Sequence, residues 1–563
     1  MDLFSRLARF FPFLRWPRPT LATLRADAWA GITVGLVLVP QSLAYATLAG
    51  MPPHTGLYAA LVPAVVGALW GSSPLLAVGP VALTSLLVFG ALAPLAQPGS
   101  AQWVELAIWL ALYAGLMQFA LGAFRLGRIA DLVSHPVVLG FINAAAVIII
   151  LTQLPALLGL SVPAGASWTQ AHFDPATAAF GLAAVALLFL FRRFLPRLPG
   201  ILIVTIVGIV ASAVFGYAEA GGAVVGAIPA GLPAPVLPSA IPFDVHRQLL
   251  PAALILALVS FTEAMSSCRA LARRRNEQWD ESQELVGQGM AKIAAAFSGA
   301  FPVSGSFSRS ALNLYAGAVS AWSTLFATAC VLLSLLFLTE YLYDLPFAVL
   351  AAIIIVPVLN LIDVAGLRRL LKVSRNDGVV ALVTFAATLA ALPDLYWGVA
   401  AGVGLNMVVF LYRRMHPRII EVALHPDGTL RDSARFGLPR LAPDVIAVRM
   451  DSALNFLTGN VLERFVLGRC REDRSIRRVL LCSNAWNDID ASGIDTLEAL
   501  RFALEVEGVE LYVSAVKIQV WSVMDRAGFA ERLGKARVFA TDREAVDALS
   551  GEPDASTTAS PAS

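Results

Sequence analysis

The sequence predicts an all-α polytopic membrane protein with a small α/β domain near its carboxyl end. Of the 563 residues, 58% are hydrophobic and only 14% are charged, whereas soluble domains carry about 25% charged residues. Apolar runs separated by Gly, Pro and charge clusters fill residues 27–413, and charged residues become frequent after that point. The formal charge of +2 is too small to indicate a nucleic-acid partner.

About fourteen apolar segments are predicted to span the membrane. Arg and Lys clusters lie at the amino end, after segments four, six, eight and twelve, and after the last one; Arg247 is an exception. Because such clusters mark the cytosolic side, both termini are predicted to be cytosolic and the membrane to be the cytoplasmic (inner) one. The segments are 27–45, 56–71, 79–94, 103–124, 136–155, 176–194, 200–216, 249–268, 284–300, 306–320, 321–339, 347–362, 377–391 and 395–412.

The regions outside these segments have their own compositions. Residues 1–26 are basic and aromatic without a cleavage site, which indicates an amphipathic segment on the membrane surface. Residues 414–439 are predicted to be a linker. Residues 440–550 alternate strand-like with helical runs, as an α/β domain does. The small, polar residues 551–563 are predicted to be a disordered tail.

Two of the segments are short and begin at a helix break. Gly79 and Pro80 precede one helix in AVGPVALTSLLVFG (77–90), and Pro302 and Gly305 precede the other in AFPVSGSFSRSALN (300–313). A helix start inside the membrane leaves N–H groups that need a partner. Two such starts in corresponding places are typical of inverted-repeat transporters, and their positive ends favour an anion. The alternative is that Gly and Pro only kink packed helices.

Few ionisable side chains lie inside the apolar segments. Glu263 does, and Ser267 follows it by one helical turn on the same face, so the two are predicted to form a cation or proton site. Arg309, in the first turn of segment ten, either attracts an anion or pairs with Glu263. Lys292 and Asp363 lie near segment ends and are expected to reach the membrane interface.

The first segment carries two polar side chains one helical turn apart, Gln41 and Tyr45. Both are expected to face the bundle interior, because lipid is a poor solvent for an amide. Gln41 is predicted to donate to an oxyanion and Tyr45 to line the pocket. Interhelical hydrogen bonding by Gln41 and simple packing by Tyr45 are the alternative.

Several motifs, in order along nearly the whole chain, resemble the signature of the sulfate permease (SulP) family of anion transporters. They are PQSLAYATLAGMPPHTGLYAALVP (40–63), AVGPVALTSLLV (77–88), QELVGQGMAKIAAAFSGAFPVSGSFSRSALN (283–313) and LPFAVLAAIIIVPVLNLID (345–363). The resemblance implies two inverted repeats of seven spans, a core domain that moves against a gate domain, and a homodimer. It also implies a carboxyl-terminal STAS domain, which residues 440–550 resemble.

The resemblance also assigns site residues. The coupling residue of bacterial members corresponds to Glu263. Some bicarbonate carriers of the family bind sodium with an Asp here and a Thr one turn later, so Glu263 and Ser267 favour a proton over sodium. The loop IDASGIDTLEAL (489–500) matches one that carries a phosphorylatable serine in related proteins, here Ser492, with helix capping as the alternative. The implied anion site consists of Gln41, Tyr45, Val81, Phe307, Ser308 and Arg309.

These observations predict a secondary active transporter of small anions, with sulfate favoured and a proton as coupling ion. No GxxxxGK[ST] sequence is present, so an ion gradient must drive accumulation. Bicarbonate and dicarboxylates such as fumarate or succinate are alternative substrates that the sequence does not separate from sulfate. An anion channel and a membrane-anchored sensor remain open as other classes. The sequence predicts no cofactor, no metal site and no enzymatic centre.

Overall fold

The computed structural model describes residues 11–16, 18–127, 133–161, 172–195 and 198–550. The chain divides into two compact units, Met1–Asn406 and Met407–Ser563. Residues 1–10 of the predicted amphipathic segment and the whole predicted tail 551–563 lie outside the described residues.

The first unit is helical, and helices α1–α12, α14 and α15 overlap the fourteen predicted segments in order. The additional short helix α13 lies between the twelfth and thirteenth segments. In the described ranges, six helical stretches are long and apolar enough to cross a membrane, and α2, α3, α7 and α11 are shorter apolar helices. The bounds are α1 Leu21–Leu48, α2 His54–Trp70, α3 Ala82–Leu92, α4 Ala101–Ala123, α5 His135–Leu158, α6 Pro175–Phe194, α7 Gly200–Val214, α8 Phe243–Arg275, α9 Glu281–Phe297, α10 Phe307–Tyr315, α11 Trp322–Phe337, α12 Phe347–Val358, α13 Val364–Val373, α14 Arg375–Ala390 and α15 Tyr396–Met415.

Capping side chains fix where several of these helices begin. Thr20 and Thr23 form a reciprocal capping box at the start of α1. Asp174 accepts hydrogen bonds from the first free N–H groups of α6, and Asp280 does the same for α9. Such caps satisfy N–H groups that have no partner within the helix.

Glycines allow pairs of helices to approach closely. A Cβ atom on Gly289 of α9 would lie 2.5 Å from the backbone N of Phe119 of α4, and one on Gly115 would lie 2.9 Å from the O of Gly289. Likewise, a Cβ on Gly31 of α1 would lie 2.4 Å from the O of Ser323 of α11. Small residues at such crossings are the usual way in which membrane helices gain packing contacts.

Two short strands interrupt the helical unit at the predicted helix breaks. Strand β1 (Ala77–Gly79) precedes α3 by two intervening residues, and strand β4 (Ser304–Ser306) directly precedes α10. They pair antiparallel, with Ala77 opposite Ser306 and Gly79 opposite Ser304. The pairing satisfies backbone groups that would otherwise be unbonded inside a membrane. A second small pair, β2 (Leu160–Ser161) and β3 (His172–Phe173), follows α5.

The second unit contains a six-stranded sheet, which confirms the predicted α/β domain. The strand order is β10-β9-β8-β7-β5-β6, parallel from β10 to β7 and antiparallel for β5 and β6. Alternate residues of β7 pack on opposite faces: Ile446 with Leu497 of α18, and Ala447 with Leu549 of α21. The elements are β5 Ile419–Leu424, β6 Leu430–Asp432, α16 Ser433–Phe436, β7 Val445–Met450, α17 Gly459–Glu472, β8 Arg478–Cys482, α18 Ala491–Val506, β9 Glu510–Ser514, α19 Ile518–Arg526, α20 Phe529–Leu533, β10 Val538–Phe539 and α21 Asp542–Ser550.

The structure corrects the predicted linker at residues 414–439. This segment contains β5, β6 and α16, and β5 pairs with both β6 and β7. Val422 and Ala423 of β5 are buried in the domain. Ile419, Ile420 and Val422 are β-branched, so the local sequence of β5 already favours a strand, and the prediction of a linker overlooked this signal.

Candidate functional site

The paired strands bring the starts of α3 and α10 to one place in the helical unit. Two residues, Pro80 and Val81, separate β1 from α3, and α10 begins at the residue after β4. The antiparallel register places the two helix starts at the two ends of the same short strand pair. The amino ends of two half-helices, and hence their positive dipole ends, therefore border a common region.

The two helix starts differ in how their N–H groups are used. Ser306 caps α10, because its Oγ accepts a hydrogen bond from the N–H of Arg309 at 3.4 Å. Val81 precedes α3 and provides no side-chain cap. The first turn of α3 therefore presents backbone donors, together with the buried hydroxyls of Thr84 and Ser85.

Arg309 carries a buried charge between the two half-helices. Its side chain is 2% exposed, and its Nη1 donates to the carbonyl O of Pro80 at 2.9 Å. Its Nη2 would lie 3.3 Å from a Cβ atom on Gly79, so the absence of a side chain there leaves room for the guanidinium. Arg309 thus links the start of α10 to Pro80, two residues before α3.

Several buried polar atoms near these helix starts have no hydrogen-bond partner among the described residues. Buried polar groups are ordinarily bonded, so a concentration of unbonded donors and acceptors points to a site that takes a polar ligand. The atoms are Gln41 Oε1, Thr84 Oγ1, Ser85 Oγ, Glu263 Oε2, and Arg309 Nε and Nη2.

The structure brings some of the implied anion-site residues together and leaves others at the surface. Gln41 and Tyr45 are buried on α1, which packs against both α3 and α10. Tyr45 lies within electrostatic reach of Arg309. Phe307 is 55% exposed, and Ser308 is also exposed, with its Oγ 3.4 Å from that of Ser306.

Glu263 and Ser267, the implied coupling residues, are both within α8. The Ser267 Oγ donates to the backbone O of Glu263 at 3.2 Å, so this hydroxyl is bonded to its own helix. In the described chain no salt bridge joins Glu263 to Arg309; the Nη1 of Arg309 is directed at Pro80 instead. The structure therefore gives no support to the alternative of a permanent Glu–Arg pair.

Sequence reasoning missed the polar contacts that hold the strand pair in place. The Ser304 Oγ donates to the O of Ser260 on α8 at 2.9 Å. The Ser310 Oγ accepts a hydrogen bond from the N–H of Ala77 at 2.9 Å. The serine-rich run in the sequence indicates hydroxyl groups, but it does not show that those of Ser304 and Ser310 form hydrogen bonds with backbone atoms.

The prediction that Lys292 reaches the membrane interface is wrong. Its side chain is 0% exposed, and its Nζ donates to Gln118 Oε1 at 2.9 Å. Helix α9 packs along α4 where Gly289 and Gly115 meet, so helix α4 rather than solvent covers this lysine. Asp363, by contrast, is exposed and caps α13 by accepting from the N–H of Gly366 at 2.7 Å.

In the second unit, Ser492 lies in the first turn of α18. The cap of that helix is Asp490, whose Oδ1 accepts from the N–H of Gly493 at 2.8 Å. The Ser492 side chain is exposed. Capping is therefore the role of Asp490, and phosphorylation of Ser492 stays a prediction.

Comparison with protein-family models identifies both units. Residues 24–384 match the model described as the sulfate permease family. The chain belongs to this family. Residues 440–545 match the STAS domain model. As a member of the sulfate permease family with several long apolar helices, the chain is an integral membrane protein.

Similar curated proteins come from bacteria and plants. A probable sulfate transporter of Mycobacterium tuberculosis is 32% identical over 536 residues, which cover 93% of this chain and 95% of that protein. Probable sulfate transporter 4.2 of Arabidopsis thaliana is 32% identical over 585 residues, covering 97% and 84% respectively.

Solved structures share the fold. The murine solute carrier 26 family member A9 anion transporter, in its inward-facing state, superposes with a TM-score of 0.88 at 23% identity, covering 97% of this chain and 94% of that one. The transmembrane domain of a cyanobacterial bicarbonate transporter, BicA, gives a TM-score of 0.58 at 24% identity, covering 69% and 99%. At these identities the likeness concerns the fold alone.

Proposed function

We propose that this protein is a secondary active transporter of small anions, with sulfate as substrate and a proton as coupling ion. The observation that carries the proposal is the pairing of β1 with β4, which sets the amino ends of α3 and α10 beside the buried guanidinium of Arg309. The site consists of Gln41, Tyr45, Val81, Phe307, Ser308 and Arg309.

The charge of this region suits a dianion. Each helix amino end is equivalent to roughly +0.5 elementary charge, and Arg309 adds one full charge, so the total is about two. Sulfate carries the matching charge, whereas bicarbonate carries half of it. The Nε and Nη2 atoms of Arg309, which have no partner among the described residues, and the hydroxyls of Thr84 and Ser85 offer further donors to the sulfate oxygens.

Glu263 is the proposed proton-binding group. Its Oε2 is buried and without a partner in the described chain, and it lies within electrostatic reach of Arg309. An ionised Glu263 carboxylate repels a bound anion nearby, and protonation of the carboxylate removes this repulsion. Binding of the anion and of the proton therefore favour each other, which is the condition for symport.

The remaining features of the proposal follow the family. A core domain that contains the strand pair moves against a gate domain and exposes the site to each side of the membrane in turn. The protein works as a homodimer in the cytoplasmic (inner) membrane, with both termini cytosolic. The STAS domain regulates transport, and Ser492 is its candidate phosphorylation site.

Uptake of labelled sulfate into proteoliposomes tests this function. With purified protein, uptake should saturate with sulfate, rise when the outside is more acidic, and fall when a protonophore removes the gradient. Bicarbonate, fumarate and succinate are added as unlabelled competitors, and sodium is replaced by choline. Non-saturating flux independent of the gradient would indicate a channel, and stronger competition by another anion would replace sulfate as the substrate.

A further inference from the structure

Lys292 is a buried cation that the proposed transport site does not use. Its side chain lies in α9 with 0% exposure, and its Nζ donates to the neutral amide oxygen Oε1 of Gln118 on α4. Lysine is almost never fully buried unless it is paired. An amide satisfies one donor of the ammonium and leaves its charge unbalanced, so this lysine needs a counter-charge.

A chain of hydrogen bonds runs from Lys292 towards the strand pair. The Nε2 of Gln118 donates to the backbone O of Ala257 at 2.6 Å and to the Oγ of Ser260 at 3.2 Å, both on α8. The backbone O of Ser260 accepts from the Oγ of Ser304 on β4 at 2.9 Å. The lysine is thereby fixed relative to β4 and to the turn of α8 that precedes Glu263.

Glu263 is the carboxylate whose charge Lys292 can balance. It follows Ser260 by three residues on the same face of α8, and its charge and that of Lys292 lie within electrostatic reach of each other. The acidic neighbour on α9 itself, Glu284, instead accepts from the N–H groups of Ser72 and Ser73 at 2.9 and 3.0 Å.

The other titratable groups on the packed elements lie elsewhere or carry the same sign as Lys292. Arg309 on α10 is a second cation near Glu263, and Tyr45 on α1 interacts electrostatically with both of these groups. On α4, Glu105 lies more than three turns before Gln118, and α2 carries His54 at its first residue and Tyr58 one turn later. On α1, Asp27 accepts from the N–H groups of the 319–320 loop.

We propose that Lys292 is a positioning residue for coupling, held by Gln118 so that its ammonium serves as a built-in counter-charge to Glu263. A metal cation at Glu263 would be repelled by this ammonium, whereas a proton adds to the carboxylate without needing a vacant cation site. Lys292 therefore selects a proton over sodium as the coupling ion. This inference rests on the proposed function.

The test replaces Lys292 by the neutral, similarly long methionine and measures sulfate uptake into proteoliposomes against pH, with and without sodium. Without the ammonium, the ionised form of Glu263 loses an attraction, so the proton is retained to higher pH. We expect the midpoint of the uptake profile to rise by on the order of one pH unit in Lys292→Met. Lys292→Arg keeps the charge and should keep the wild-type midpoint, as should Lys372→Met, which removes an exposed lysine of α13.

A second measurement separates this inference from the proposed function. Infrared difference spectroscopy follows the carboxyl signal of Glu263, identified by its loss in Glu263→Gln, as the pH of the purified full-length protein is changed. Wild-type protein without sulfate uptake would refute the proposed function, while the infrared midpoint would still test Lys292. An unchanged infrared midpoint in folded Lys292→Met protein would overturn the inference.

Lys292→Gln keeps the test decisive if Lys292→Met does not fold. The amide removes the ammonium and can still donate to the Oε1 of Gln118, whose own donations to the backbone O of Ala257 and the Oγ of Ser260 are retained. We expect the same upward shift of the Glu263 midpoint, and a wild-type midpoint in Lys292→Gln would count against the built-in counter-charge.

Discussion

Arg309 shows how one side chain can belong both to the fold and to the proposed site. Its Nη1 is bonded to Pro80, which ties α10 to the start of α3, while its Nε and Nη2 are buried and partnerless within the described residues. The planar guanidinium can bond Pro80 and still present Nε and Nη2 to a ligand, because its donors point in different fixed directions. A lysine cannot hold the Pro80 carbonyl and present two further donors in the same way.

Arg309→Lys should therefore weaken sulfate binding while the charge is retained. Hydrogen bonds that involve a charged group contribute about 1.5–3 kcal/mol each, so loss of one raises the KM for sulfate by roughly 10- to 100-fold. The measurement is the KM of uptake into proteoliposomes. Arg464→Lys, at an exposed arginine of the STAS domain, is the matched control, and an unchanged KM for Arg309→Lys would place the anion elsewhere.

Glu263→Gln should uncouple transport from protons. The amide keeps the size of the side chain but binds no proton in the working pH range. Uptake should therefore lose its dependence on the pH gradient, and sulfate should only equilibrate across the membrane. Glu105→Gln is the matched control, because Glu105 on α4 also has a buried oxygen without a partner in the described residues. If the control loses pH dependence and Glu263→Gln keeps it, the coupling group has been misassigned.

At the scale of elements, the sequence predicts helices well and strand pairs poorly. Apolar runs between Gly, Pro and charge clusters locate fourteen helices, because a membrane segment satisfies its own backbone. Strands β1 and β4 have three residues each, too few for a recognisable period, and the Pro80–Arg309 bond joins residues 229 positions apart. The burial of Lys292 was missed for a related reason, since only the packing of α9 on α4 decides it.

The glycine crossing of α4 and α9 is the packing that makes this burial possible. A methyl group at Gly289 would lie 2.5 Å from the N of Phe119 and 2.7 Å from the O of Gly115, both of which are backbone atoms. Gly289→Ala should therefore separate the helices and destabilise the protein by about 1–3 kcal/mol. Thermal unfolding of the detergent-purified protein measures this.

Gly404→Ala is the matched control for that crossing. Gly404 also lies within a helix, α15, but a Cβ atom there would meet no atom within 4 Å. Alanine favours a helix over glycine by up to about 1 kcal/mol, so the unfolding temperature should stay unchanged or rise. Equal losses in both variants would mean that the α4–α9 crossing has room for a methyl group.

At the scale of the whole molecule, the division into two units decides where the chain can be cut. The sheet of the second unit begins at Ile419, before the start of the STAS match at residue 440. Strand β5 pairs with β7 over Ile419–Val422, opposite Met450–Ala447. A truncation placed at 440 therefore removes the partner of a strand that it leaves behind.

Two truncations follow from this topology and separate a transporter from a membrane-anchored sensor. A chain that ends after Met415, the last residue of α15, removes the sheet as a whole and should elute as a single species with saturable sulfate uptake. A chain that ends at 439 keeps β5 and β6 but loses β7, which exposes an unpaired strand edge and the apolar side chains of Val422 and Ala423, so it should aggregate. Size-exclusion elution and uptake are measured for both chains against the full-length protein. Loss of uptake in a monodisperse chain that ends at Met415 would make the STAS domain part of the main activity and would favour the sensor.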